Sequence, residues 1–218
     1  MEKNRKVSVL MSVYYKEKPE YLEACLESII QQTYQPDEIV LVKDGPLTEE
    51  LEHVLEQFVS KNPQMYKLVP LEKNVGLGKA LAIGVEAASY ELIARMDTDD
   101  IALPERLEKQ RNYFQMNPET AIVGSDIIEF EGSIDQVVAN RIVPHTHEEI
   151  YEFAKRRNPF NHMTVMYRKD SVLEVGNYQP LNGYEDYYLW VRMLEKGLKA
   201  YNFAEVLVYA RGGNLNYS

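Results

Sequence analysis

The chain has 218 residues, 45% hydrophobic and 27% charged, with a formal net charge of −10. That length builds one substantial core, and the acidic balance excludes a general nucleic-acid binder, which meets phosphate backbones with an excess of Lys and Arg. The single cysteine, Cys25, excludes an internal disulfide framework and fits a reducing compartment.

Val7 to Tyr14 is a short apolar run that reads as a buried strand. Pro19 and Glu20 open a helix on which Leu22, Cys25, Leu26, Ile29 and Ile30 recur at helical spacing. Ile39 to Val42 is a second buried strand, stopped by the turn Lys43-Asp44-Gly45-Pro46. Leu51, Val54, Leu55, Phe58 and Val59 mark a second helix that ends near Asn62-Pro63, and Met65 to Leu71 offers a third strand. Asn74-Val75-Gly76 opens a helix over Leu77 to Ala88, and Glu91 to Met96 is a fourth strand. Three strand-helix alternations specify a mostly parallel sheet covered by helices, in which ligands bind beyond the carboxyl ends of the strands. Tyr14, Asp44 and Asp97 each fall at such an end.

Beyond Pro104 a helix carries Leu107, Tyr113 and Phe114 and stops at Asn117-Pro118, followed by a strand at Ala121 to Gly124. The alternation then weakens. Val137 to Val143 reads as a strand, Glu148 to Arg157 as a helix and Met163 to Tyr167 as a strand. A helix over Tyr187 to Lys196 turns Trp190, Met193 and Leu194 inward, and Val206 to Tyr209 closes the chain as a strand. No apolar run approaches the ~20 residues that span a bilayer, and Met1-Glu2-Lys3-Asn4-Arg5-Lys6 lacks a signal-peptide core. The expected location is the cytoplasm, with at most peripheral contact at the inner face of the membrane.

Asp97-Thr98-Asp99-Asp100 places three carboxylates in four residues after the fourth strand. Such a cluster either stays solvated, caps the helix begun at Leu103-Pro104-Glu105, or takes a hard cation. Mg²⁺ or Mn²⁺ suits one or two carboxylates together with substrate phosphates, which points to a nucleotide diphosphate. Glu185-Asp186, at the start of the Trp190 helix, is a second acidic pair, read either as a cap or as a proton acceptor for an incoming hydroxyl. Lys155-Arg156-Arg157 is a basic cluster that either faces an anionic acceptor or membrane headgroups or is a solvated helix end.

Five segments, in order, resemble the family 2 glycosyltransferases, inverting enzymes of the GT-A fold. They are Val9-Leu10-Met11-Ser12-Val13-Tyr14-Tyr15, Val42-Lys43-Asp44-Gly45, Asn74-Val75-Gly76-Leu77-Gly78-Lys79, Arg95-Met96-Asp97-Thr98-Asp99-Asp100 and Tyr184-Glu185-Asp186-Tyr187-Tyr188-Leu189-Trp190. Together with Asn158-Pro159-Phe160-Asn161-His162-Met163-Thr164 they are most similar to bacterial enzymes of capsule, exopolysaccharide or lipopolysaccharide assembly.

The resemblance implies an α/β GT-A fold, with a Rossmann-like, mostly parallel sheet, helices on its faces and a smaller acceptor-side subregion. It is expected to be one domain over residues 1–218, residues 1–100 binding the nucleotide-sugar and 101–218 the acceptor. Ser12, Tyr14 and Asp44 would hold the base and ribose of a UDP-sugar, Lys79 the base or diphosphate, and Asp97 the ribose or a metal-bound water. Asp99 would ligate Mn²⁺ or Mg²⁺, and Asp186 would be the general base for in-line attack by the acceptor hydroxyl. Glu185 and His162 are acceptor-side candidates, and Asp100 is left as a helix cap. The acceptor is a glycan, lipid-linked sugar or glycoprotein, nucleic acid is not a partner, and a homo-oligomer is compatible.

The chain lacks the Gln-x-x-Arg-Trp motif of processive synthases, so transfer of a single sugar is expected. Many members continue beyond the point where this sequence reads Asn214-Leu215-Asn216-Tyr217-Ser218, so an acceptor-side or membrane-docking segment is expected to follow. Two other readings remain at this level. A nucleotidyltransferase would share the carboxylate-bound metal but wants a Gly-rich basic loop after its first strand, and a non-catalytic sugar- or protein-binding module would not respond to UDP and metal.

Overall fold

The computed structural model describes residues 5–181 and 183–212. The opening Met1 to Asn4 and the closing segment from Asn214 lie outside the described residues. The chain alternates β1 (Val7–Val13), α1 (Pro19–Ile30), β2 (Glu38–Lys43), α2 (Glu49–Lys61), β3 (Tyr66–Pro70), α3 (Leu77–Ala87) and β4 (Leu92–Arg95). There follow β5 (Ile101–Ala102), α4 (Arg106–Met116), β6 (Thr120–Phe130), β7 (Val137–Arg141) and α5 (His147–Ala154). A short 3₁₀ turn (His162–Thr164), β8 (Met166–Arg168), α6 (Lys169–Glu174), α7 (Glu185–Glu195) and β9 (Lys199–Arg211) complete it.

The strands form one sheet in the order β3-β2-β1-β4-β8-β6-β9-β5, with β7 also paired to β6. Its first four strands run parallel, as the alternation requires. β8 joins β4 antiparallel, and parallel pairing returns between β6 and β9. Because side chains alternate across a strand, β1 and β2 feed two cores. Val9, Met11, Ile39 and Leu41 pack with α1, α2 and α4 on one face, while Leu10, Val40 and Val42 pack with α3, α5 and α7 on the other. Trp190 is fully buried in the second core, edge-on to Phe160.

Gly84 lets α3 sit close on the sheet, since a Cβ there would lie 2.3 Å from Leu10 Cδ1 and 3.0 Å from Val42 Cγ2. Gly84→Ala is therefore expected to destabilise the fold by about 1–3 kcal/mol, the usual cost of overpacking a filled core, despite alanine's better helix propensity. Urea denaturation measures this, and an unchanged midpoint would mean that Leu10 repacks freely.

The second half departs from the sequence reading in detail. β5 is a two-residue strand defined by antiparallel pairing of Ile101 and Ala102 with Tyr209 and Val208, which no local pattern encodes. The strand read at Met163 to Tyr167 is a 3₁₀ turn followed by β8, and β9 runs 13 residues where four were expected. α6, at six residues, is too short for periodicity to reveal.

Candidate active site

A cleft of about 570 Å³ opens at the carboxyl ends of β1, β2 and β4. Ser12 and Tyr14 reach it from the end of β1, Asp44 from β2, and Asp97, Thr98 and Asp99 from the loop after β4. Five of the residues predicted to meet donor or metal thus converge, from segments far apart in sequence. Lys79 is exposed on α3 and is not among the residues that line the cleft.

Asp44 is 3% exposed and acts locally on α3. Its two carboxylate oxygens accept the backbone N–H groups of Val75 (2.7 Å) and Gly76 (3.1 Å), supplying from β2 the cap that α3 lacks. The loops meet because Gly45 has φ of +91° and no Cβ, which would otherwise lie 2.7 Å from the Asn74 nitrogen. The Asp-Gly and Asn-x-Gly segments are therefore one joint that sets the floor of the cleft.

Asp97 is gripped by Arg95, a side chain that is 1% exposed and donates to both carboxylate oxygens, one at 2.5 Å. Cys25 Sγ contacts the Asp97 carbonyl at 3.1 Å and so holds the same loop against α1. Thr98 donates to Glu17, which with Lys16 also lines the cleft. Neither residue was singled out from sequence, because a charged pair in a loop carries no spacing signal.

Asp100 does not cap α4. Glu105 occupies the N-cap position with no side-chain cap bond, and Asp100, 2% exposed, accepts the Arg211 backbone N–H at 2.8 Å. The carboxylate ties the acidic loop to the end of β9. Burial and the charges of Asp97 and Asp99 push its pKa well above the usual carboxylate range.

Asp186 lies in the first turn of α7, whose first residue, Glu185, packs beside the start of α3: a Cβ on Gly78 would lie 3.1 Å from Glu185 Cβ. Asn158 donates to Asp186 Oδ2 at 2.6 Å, and the Tyr187 backbone N–H donates to Oδ1 at 2.6 Å. Burial nevertheless outweighs these bonds and the Arg95 charge, so the Asp186 pKa is raised. His162 stands behind it, Nδ1 3.9 Å from Asp186 Oδ2 and Nε2 3.0 Å from the Tyr178 hydroxyl. Burial and then Arg95 push His162 well below the usual imidazole range, which leaves it neutral at neutral pH. Its ring also contacts those of Tyr178 and Trp190. Asn158 and Arg95 stood inside quoted motifs without an assigned part, since their partners are visible only in three dimensions.

Residues 8–176 match the family model described as glycosyl transferase family 2. The chain belongs to that family. An uncharacterized glycosyltransferase of Haemophilus influenzae is 49% identical to it over 209 residues, 96% of this chain and 77% of that protein. The amylovoran biosynthesis glycosyltransferase AmsE of Erwinia amylovora is 47% identical, over 95% of this chain and 76% of its own length. The UDP-Gal:alpha-D-GlcNAc-diphosphoundecaprenol beta-1,3-galactosyltransferase of Escherichia coli is 36% identical, with 94% and 74% covered.

Two solved structures share the fold of this family 2 transferase. S. aureus TarS 1-349 in complex with UDP-GlcNAc matches with a TM-score of 0.73 at 20% identity, over 96% of this chain and 59% of that one. The mannosyltransferase PcManGT from Pyrobaculum calidifontis, in complex with GDP-Man and Mn²⁺, gives 0.72 at 17% identity, over 98% and 59%. The sheet with helices on both faces is accordingly the GT-A fold. The family match ends at residue 176, ahead of α7.

Proposed function

We propose that this transferase is a metal-dependent, inverting enzyme that moves one sugar from a UDP-sugar to a hydroxyl of a glycan, glycoprotein or lipid-linked acceptor. The observation that carries the reading is a half-buried carboxylate of raised pKa, Asp186, on a helix packed against the start of α3, which borders the cleft that holds Asp97 and Asp99. A carboxylate moved up from its ordinary value is the stronger base once ionised, and it takes the acceptor proton as the hydroxyl attacks. A single displacement at the anomeric carbon inverts it. In this reading residues 1–100 hold the donor, 101–218 the acceptor, and the reaction takes place on the cytoplasmic side of the membrane.

The acidic loop suits a hard divalent cation. In this reading Asp97 meets the donor ribose or a metal-bound water and Asp99 ligates the metal, a division supported by the hold of Arg95 on both oxygens of Asp97. Among the described residues no three His, Cys, Asp or Glu are grouped as a metal cage. Mn²⁺ or Mg²⁺ is commonly held by one or two carboxylates together with the substrate's own phosphates. When bound, the cation neutralises charge building on the leaving diphosphate. Relatives named for a UDP-Gal donor and for amylovoran synthesis support the choice of UDP and of a polysaccharide pathway.

The test is a panel of UDP- and GDP-sugars scored by thermal shift and by hydrolysis or transfer, with Mn²⁺, Mg²⁺ or neither. Stabilisation by UDP-sugar only with metal, followed by turnover, is expected. The absence of both across the panel would favour a binding module.

A further inference from the structure

Among the described residues one side chain hydrogen-bonds to the Asp186 carboxylate, and it belongs to a segment without an assigned role: Asn158 donates to Oδ2 at 2.6 Å. Neither flanking helix needs it. Lys155 is the C-cap of α5, and Asn161 holds the N-cap position of the 3₁₀ turn. A local turn explains only half of its bonding. The Asn158 side-chain oxygen accepts the Phe160 backbone N–H at 3.2 Å, which leaves the amide NH₂ to face Asp186.

The segment that carries Asn158 is pinned to two strands. Asn202 of β9 donates to the Pro159 carbonyl at 3.0 Å, and Asn161 donates to the Ser125 carbonyl of β6 at 2.9 Å. Phe160 is buried with its ring edge-on to Trp190, one turn along α7 from Asp186. The donor is therefore set against the same helix that bears its acceptor. From within α7 the Tyr187 backbone N–H holds Oδ1, so two elements fix the plane of the carboxylate while a lone pair remains on each oxygen.

Burial drives Asp186 towards its protonated form, in which it cannot take a proton, and the bonds from Tyr187 and Asn158 and the charge of Arg95 oppose it. The other titratable groups around it are poor substitutes for the amide. Arg95, on β4, is committed to Asp97. His162, with Nδ1 3.9 Å away, and Tyr178 are kept neutral by burial, and Glu185 beside it on α7 has the same sign. α3 and α5 meet this turn of α7 through Gly78 and the Ala154 carbonyl, which carry no charge. We propose that Asn158 is a positioning residue of the transfer reaction, holding Asp186 ionised and its oxygens turned to the acceptor hydroxyl. The inference rests on the transferase reading above and adds to it the group that keeps the base in its working state.

The test follows the Asp186 carboxyl by ¹³C NMR titration of the full chain labelled at aspartate, with D186N identifying its signal. In N158A the midpoint is expected to rise by about one pH unit or more, since a hydrogen bond to the charged form is lost. Hydrolysis of the UDP-sugar selected by the panel above, with water in place of the acceptor, should fall about 10-fold at about pH 7 and recover part of that loss as pH rises. The UDP and Mn²⁺ thermal shift should stay that of wild type. N158D keeps the bond from Phe160 and removes only the donor, so it serves if N158A folds poorly. Its two carboxyls should share a proton and titrate as a pair, the upper midpoint lying above that of wild-type Asp186. A lower melting temperature with the midpoint and the pH profile unmoved would mean a purely structural part for Asn158, and that result overturns the proposal. Wild-type hydrolysis by D186N would instead remove the base assignment on which it rests, whatever the midpoint does in N158A.

Discussion

Asp186→Asn is expected to lower the rate of sugar transfer by about 10²-fold or more while leaving donor binding intact, since a positioned general base contributes about that much. The substitution keeps the size of the side chain and an oxygen able to accept from Asn158 or from the Tyr187 backbone N–H, so α7 should hold its place. What is lost is the capacity to take a proton. Single-turnover transfer separates this from donor binding, and wild-type rates in the variant would remove Asp186 from the chemistry. The wild-type pH profile gives an independent check. Burial raises the Asp186 pKa, so transfer should be full above the folded value and fall as pH drops through it, at a higher pH than an exposed aspartate would show. The linkage to stability runs the other way: with the folded pKa above the unfolded one, the contribution is present below the unfolded pKa and lost as pH rises through the folded value. Above its folded pKa the fold therefore carries an ionised Asp186 at a cost, as a group kept for chemistry would require.

The parallel half of the sheet was legible because each of its buried strands is a short apolar run bounded by Gly, Pro or charged turns, and each helix shows a regular apolar stripe. The convergence of Tyr14, Asp44 and Asp97 was legible too, since parallel strands deliver their carboxyl ends to one edge. Beyond Asp100 that logic failed. β5 is defined by its pairing with β9, and the full length of β9 is set by pairing with β6 rather than by its own pattern, which lets Lys199 and Glu205 sit in a strand. Where a carboxylate serves the fold, its partner lies far off in sequence. Asp100, read as a cap by its nearness to Pro104, holds the backbone of Arg211, 111 residues away. Asp44, read as a donor contact, also caps α3 across 31 residues of sequence. Arg95 was passed over because its partner is two residues along a loop whose direction the sequence does not give.

Asp99→Asn is expected to abolish metal-dependent binding of UDP-sugar with the fold kept. The neighbouring carboxylates are poorly placed to substitute. Asp97 has both oxygens on the buried Arg95 guanidinium, and withdrawing one would leave that cation underpaired in a dry site. Asp100 is 2% exposed and committed to the Arg211 backbone, so reaching the cleft would require the β4–β5 loop to detach from β9. The apo protein should melt within about 1–2 °C of wild type, because removing one of several like charges at a partly exposed position changes little. With UDP and Mn²⁺ at about 100 times the dissociation constant, mass action adds about 2.7 kcal/mol to wild type. For a chain of this size that is a rise of roughly 5–10 °C in the melting temperature, and the variant should show almost none of it. Any weak metal-free shift by UDP should be the same in both proteins, because Ser12, Tyr14 and Asp44 are untouched. A full Mn²⁺-dependent shift in the variant would transfer the metal to another group, and with Arg95 already on Asp97 the carboxylate to examine next would be Glu17, across the same cleft.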